Sequence, residues 1–228
     1  MRGGRRAGAA EETGFPQVAA GPWPRFPGFD YTDPRPFATW KGQLMVTCMR
    51  GWLVGDPPSL ELATLALDEL RQRRLELSGV AQTEAAQAVL DAEMRFAASP
   101  YEPIPWLSQA GVAVRRAFPP AVLADQKKGR LGGSVYVVLR GGYTESSGLY
   151  GAYVGSTGKT PERRIAEHRA GGRTAARGLP RHGIEPLRSL FEALNPVPKA
   201  RAGREEWETR LHEALAPVVP RVSGDVAF

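Results

Sequence analysis

The chain has 228 residues, 30 Lys and Arg against 24 Asp and Glu, a formal charge of +6 and a pI near 9.8. Apolar residues make up 42% and charged residues 24%, which excludes wholesale disorder and leaves material for one large domain or two small ones. A lone cysteine, Cys48, and three histidines exclude an intrachain disulfide and a multi-cysteine zinc site.

The first residues are basic, but Glu11 and Glu12 fall where the apolar part of a secretory leader would lie. No stretch approaches the roughly 18 apolar residues of a membrane span. The expectation is a soluble, cytoplasmic protein with no membrane partner. The positive excess favours a polyanionic one.

Residues 1–38 carry Arg, Gly and Pro in runs such as GPWPRFPGF, without a helical or alternating period, and read as an extended or partly ordered arm. Residues 39–130 form a mainly helical region suited to recognition or to contact with a protein partner. There QLMVTCMRGWLV reads as a strand or brief helix ended by Asp56-Pro57-Pro58. SLELATLALDELRQRRLEL repeats apolar residues at helical spacing, with Ser59 placed to cap it. A second helix is predicted from Gln82 to Ala98, with Thr83 ahead of its Ala-rich run. A third runs through SQAGVAVRRAF, and ADQKKGRLGGS reads as a polar linker.

From residue 131 the texture changes. SVYVVLR is β-branched and aromatic, GGYTESSG is turn chemistry and LYGAYVG is strand-like again, which predicts an antiparallel hairpin. Thr160 and Pro161 open a helix that Gly171-Gly172 closes. LPRHGIEPLRSLFEAL reads as a turn followed by a short strand or helix, and PVPKARAG as a loop. REEWETRLHEAL is an amphipathic helix stopped by Pro217. The tryptophans Trp23, Trp40 and Trp52 fit core packing better than base stacking.

Several residues stand in an order that resembles the GIY-YIG nuclease family. Ser134-Val135-Tyr136 occupies the place of Gly-Ile-Tyr, and Tyr153-Val154-Gly155-Ser156 that of Tyr-Ile-Gly and a small residue. Arg164 and His168 stand four apart on the helix after the hairpin, and Arg181-His182-Gly183 precedes the third strand. Glu208, with Leu215 and Pro217 behind it, resembles the family's metal-binding glutamate helix. The departures are Ser134 for Gly, a longer hairpin loop, and Pro220, Arg221 and Ser223 where the family has a late Asn. The resemblance covers roughly residues 132–222.

This resemblance implies an α/β (α+β) fold in which residues 131–228 form a GIY-YIG-like domain with a small three-stranded antiparallel sheet flanked by helices. It implies a metal-dependent endonuclease that hydrolyses phosphodiesters, of DNA or of RNA, with Mg²⁺ or Mn²⁺ on Glu208. The implied catalytic set is Tyr136, Tyr153, Arg164, His168 and Glu208, with Gly155 and Gly183 structural. Tyr136 would orient or deprotonate the attacking water, Tyr153 and Arg164 would hold the phosphate, and His168 would orient a tyrosine or shuttle its proton. Which tyrosine is the base stays open.

The residues themselves support a meeting of these groups. With a side-chain period of two, tyrosines on adjacent strands sit across from each other while Val135, Val137, Ala152 and Val154 share the opposite face. Four helical residues turn about 400°, so Arg164 and His168 share a face about 60–100° from Ile165. On the last helix Glu208 falls within roughly 75° of the stripe made by Trp207, Leu211, Ala214 and Leu215, whereas Glu205 and Glu206 lie beyond about 120°. Lys159, Arg163, Arg169, Arg173, Arg177 and Arg181 form a basic run suited to phosphate tracking. Taken singly, each residue also reads as packing or solvated charge, with His168 paired to Glu167 or Glu162. Two competing readings remain, a catalytically inactive nucleic-acid-binding module and a protein–protein adaptor acting through the N-terminal region.

Overall fold

The computed structural model describes residues 26, 28–126, 130–142, 149–173 and 175–224. QLMVTCMRGWLV is helical: α1 spans Gly42–Val54 and buries Met45, Val46, Met49, Trp52 and Leu53, a spacing only a helix turns to one side. It is followed by α2 (Leu60–Glu76) and α3 (Gly79–Ala97), with α4 (Leu107–Ala117) and α5 (Pro120–Gln126) completing the helical region. The α3 helix starts at Gly79, so Thr83 lies inside it and its hydroxyl bonds the Gly79 carbonyl. The stretch read as a linker is ordered at both ends, as α5 and the first strand. Residues 127–129 lie outside the described residues. Among the described residues no helix is long and apolar enough to cross a membrane.

The described part of the N-terminal arm is a chain of turns that delivers rings. Asp30 and Asp33 each accept a backbone N–H two residues on, and the turns they close set Phe29, Tyr31 and Phe37 into the core. Phe26, Phe37, Trp40 and Trp52 pack edge-on or tilted with centroids 5.1–6.4 Å apart, so Trp40 and Trp52 are packing residues. Trp23 lies outside the described residues.

The sheet is mixed and five-stranded, which corrects the three-stranded antiparallel expectation. Strand β1 (Leu131–Arg140) pairs antiparallel with β2 (Gly151–Thr157), β3 (Gly183–Pro186) and β4 (Val197–Pro198), and β5 (Val222–Gly224) adds parallel to β2. The path runs β3-β1-β2-β5, with β4 beside the start of β1. Two- and three-residue strands contain no alternation to recognise, so β4 hides in a proline-rich loop and β5 in the tail. Helices α6 (Pro161–Arg169), the short α7 (Leu179–His182) and α8 (Arg201–Leu215) complete the domain, with 3-10 turns at Arg188–Leu190 and Glu192–Leu194. Most of the hairpin loop, residues 143–148, lies outside the described residues.

Helices and sheet share one continuous core, and two buried carboxylates cross between them. Ser59 holds the N-cap position of α2 but makes no side-chain capping bond. The work is done by Glu185 of β3, whose Oε1 accepts the Glu61 backbone N–H at 2.6 Å. Glu61 in turn reaches across to the 3-10 turn, accepting the N–H groups of Arg188 at 3.0 Å and Ser189 at 2.8 Å and the Ser189 hydroxyl at 2.7 Å. Each carboxylate thus satisfies the orphan N–H groups of an element that is not its own.

Both acids are carried above the ordinary carboxylate range, Glu61 to about 7 through burial against its hydrogen bonds, and Glu185 through burial and the nearby Glu61 charge. Because the Glu61 value in the folded protein exceeds the 4.5 of a free glutamate, its contribution to stability is full below pH 4.5 and is lost as pH rises through about 7. Glu61→Gln keeps an acceptor oxygen and removes the charge. Relative to this variant, the wild-type protein is expected to lose about 3 kcal/mol between pH 4.5 and 7.5 in chemical denaturation. Parallel pH profiles for the two proteins would show that Glu61 carries no such cost.

Candidate active site

The hairpin sets the first two groups. Val135, Val137 and Leu139 of β1 and Ala152 and Val154 of β2 are buried on one face, which turns Tyr136 and Tyr153 to the other. The tyrosines are not directly opposite, as the strand pattern suggested. Tyr136 faces Gly155, and Tyr153 faces Val138, so the rings are diagonal neighbours with centroids 6.1 Å apart at 35°. Gly155 makes this possible: a Cβ there would lie 2.5 Å from the Tyr136 Oη and 2.9 Å from Tyr153 Cε1. The group that needs the missing side chain is the Tyr136 phenol, lying flat across the neighbouring strand.

Helix α6 brings the next two. Thr160 caps it by accepting the Arg163 N–H, Pro161 occupies the first turn, and Ile165 anchors the inner face. His168 is fully buried and its Nε2 lies 2.7 Å from Tyr136 Oη. Its ring stands edge-on to Tyr153, with centroids 5.7 Å apart. Both His168 ring nitrogens meet groups off its own helix: Nε2 meets Tyr136, and Nδ1 accepts the Ala176 backbone N–H at 2.8 Å. Arg164 hydrogen-bonds Tyr136 and lies 3.5 Å from Glu167, with a fifth of its side chain exposed.

Glu208 arrives on α8, buried beside Trp207 and Leu211 as its angular position predicts, while Glu205 and Glu206 are exposed. Its charge is felt by the Tyr136 phenol. The parallel strand β5 lies alongside, since a Cβ on Gly224 would come within 3.8 Å of Glu208 Oε1. Ser223, in the region of the family's late Asn, accepts a bond from Arg140 at 2.9 Å and donates to the Ala152 carbonyl at 3.3 Å. Tyr136, Tyr153, Arg164, His168 and Glu208 therefore converge.

Burial dominates the electrostatics of this cluster. It pushes the Tyr136 phenol up to about 12, against the opposing pull of Arg164 and of hydrogen bonds from Tyr153 and Arg164, and Glu208 adds to the rise. At neutral pH Tyr136 is a phenol. Among the described residues no group of three or more His, Cys, Asp and Glu could hold a metal ion. A single carboxylate is nevertheless a sufficient protein share for Mg²⁺, which keeps waters and takes phosphate oxygens. Glu208 meets that requirement, and His168 does not join it because both ring nitrogens are engaged.

The basic run divides. Lys159 at 2.6 Å and Arg163 at 3.5 Å gather with Arg164 around Glu167, whose carboxyl is held below its usual range chiefly by the Lys159 bond. Arg169 is half-buried, and burial lowers its guanidinium pK against the opposing charge of Asp56 in the helical region. Arg173, Arg177 and Arg181 are exposed. Gly171 and Gly172, at φ of 76° and 103°, end α6, so these arginines do not form a continuous helical stripe. Gly183 is structural, since a Cβ there would meet the Leu179 carbonyl at 2.8 Å.

Two supports lay beyond sequence reasoning. Asn195 donates to the Val135 carbonyl and accepts the Val135 N–H, both at 2.9 Å, bracing β1 one residue before Tyr136. Its setting in a proline-rich loop signals only a turn. The Ala176 N–H on His168 is a backbone group that no residue type announces. No family model, curated protein or solved structure gives a significant match to this chain.

Gly155→Ala tests the stacking of Tyr136 on β2. The added methyl is expected to cost about 1–3 kcal/mol in urea denaturation, as overpacking does. Unchanged stability would show that the phenol moves aside freely.

Proposed function

We infer that the protein is a metal-dependent endonuclease of the GIY-YIG type, acting on a nucleic acid, with DNA favoured. The single observation that carries this reading is the convergence of two phenols, a guanidinium, an imidazole and a buried carboxylate. Phosphodiester hydrolysis needs a positioned water, positive charge on the developing phosphorane and help for the leaving oxygen. Arg164, the partly exposed member, meets the phosphate. The phenols of Tyr136 and Tyr153 orient the water and the non-bridging oxygens, and the His168 bond holds the Tyr136 ring in place. Glu208 would hold a divalent cation, which would supply positive charge to the phosphodiester. Arg173, Arg177 and Arg181 guide the backbone of the substrate.

A second reading, a nucleic-acid-binding module without turnover, draws support from the burial of Tyr136, Tyr153 and His168, each at most 4% exposed. The same assay separates the two. Purified protein is incubated with duplex, single-stranded and branched DNA and with RNA, in Mg²⁺ and in Mn²⁺. Glu208→Ala and Arg164→Ala are each expected to lower the cleavage rate by about 10²-fold or more. Cutting by both variants at the wild-type rate would refute the site. Salt-sensitive binding with no cleavage in any metal would select the second reading.

A further inference from the structure

The hydrogen bonds around His168 fix where its proton sits. The Ala176 N–H can only donate, and at 2.8 Å it requires a lone pair on Nδ1. A neutral ring then carries its hydrogen on Nε2, which points at Tyr136 Oη 2.7 Å away. A doubly protonated ring would set two N–H groups against each other at a side chain with no exposed surface. The amide is itself well held: the Ala175 N–H bonds the Gly172 carbonyl at 3.1 Å, and the Leu179 N–H bonds the Ala176 carbonyl at 3.1 Å.

The count extends to the phenol. Arg164 has donors and no acceptor, so its bond to Tyr136 also arrives at the phenolic oxygen.

We propose that the Ala176 backbone amide is a positioning group that locks His168 in the Nε2–H tautomer. The imidazole then serves Tyr136 as a hydrogen-bond donor and not as the acceptor of its proton. This decides between orienting a tyrosine and shuttling its proton in favour of orientation.

The test has a spectroscopic arm that is independent of activity. In the ¹⁵N-labelled full-length protein, long-range ¹H–¹⁵N correlations are expected to show His168 Nδ1 unprotonated and Nε2 protonated, the assignment coming from the loss of these signals in His168→Gln. A hydrogen on Nδ1, or on both nitrogens, overturns the proposal. The second arm rests on the nuclease reading. In His168→Gln the side-chain carbonyl can accept from Ala176 and the amide can donate to Tyr136, so cleavage is expected to stay within about tenfold of wild type, the worth of one net hydrogen bond. His168→Leu, which can do neither, is expected to fall further. A loss of about 10²–10⁴-fold in His168→Gln, equal to that in His168→Leu, is the mark of a proton carrier and overturns the proposal. A wild-type protein that cuts nothing defeats the nuclease reading, and the spectrum still decides the tautomer.

Discussion

The reciprocal exchange of caps between Glu61 and Glu185 is the constraint on which the arrangement of this protein depends. Each acid leaves its own element and closes the amino end of another, so α2 cannot shift on the sheet without stripping N–H groups of partners in a dry interior. Two neighbouring carboxylates in such a place are costly, and their value lies in geometry more than in net stability. The constraint propagates. Arg188, whose N–H is taken by Glu61, sends its guanidinium to Glu162 at 2.7 Å, and Glu162 opens the helix that carries Arg164 and His168. A further tie runs from Trp106 to the Tyr150 carbonyl at 3.2 Å, just before β2. Helical region and sheet act as one support for the candidate site.

Within that support the cluster balances burial against directed donors. Removing Tyr136 from water penalises its anion more than Arg164 and the hydrogen bonds to its oxygen relieve it, so the resting group is a neutral phenol in a fixed orientation. Gly155 supplies the floor, Asn195 clamps the strand just before the ring, and the His168 imidazole holds the hydroxyl. The order is the kind expected where an attacking water must be placed closely.

Much of the fold was legible because it follows local rules. Helical periodicity exposed α2 and α3, β-branched runs exposed the hairpin, Thr160-Pro161 marked the start of α6, and the angular position of Glu208 set it on the core side of α8. What stayed hidden depends on pairs far apart in the chain. Ser59 suited the cap of α2, yet the acceptor came from Glu185, 124 residues from Glu61. The diagonal offset of the tyrosines is set by strand register, which a long hairpin loop leaves unspecified. The basic run gave its charge but not its direction, so nothing distinguished the half-buried Arg169 from the exposed Arg173 and Arg177. Short strands and backbone donors leave no mark in residue type at all.

The parallel pairing of β5 with β2 has one more effect. It places a neighbour on each side of both strands that bear the tyrosines, leaving a four-residue strand and a three-residue strand at the ends of the main path. An open row of backbone groups along β2 would be a template on which a second molecule could add a strand and aggregate. Strand β5 occupies that row along Ala152–Val154, and strands as brief as β3 and β5 offer little for intermolecular growth.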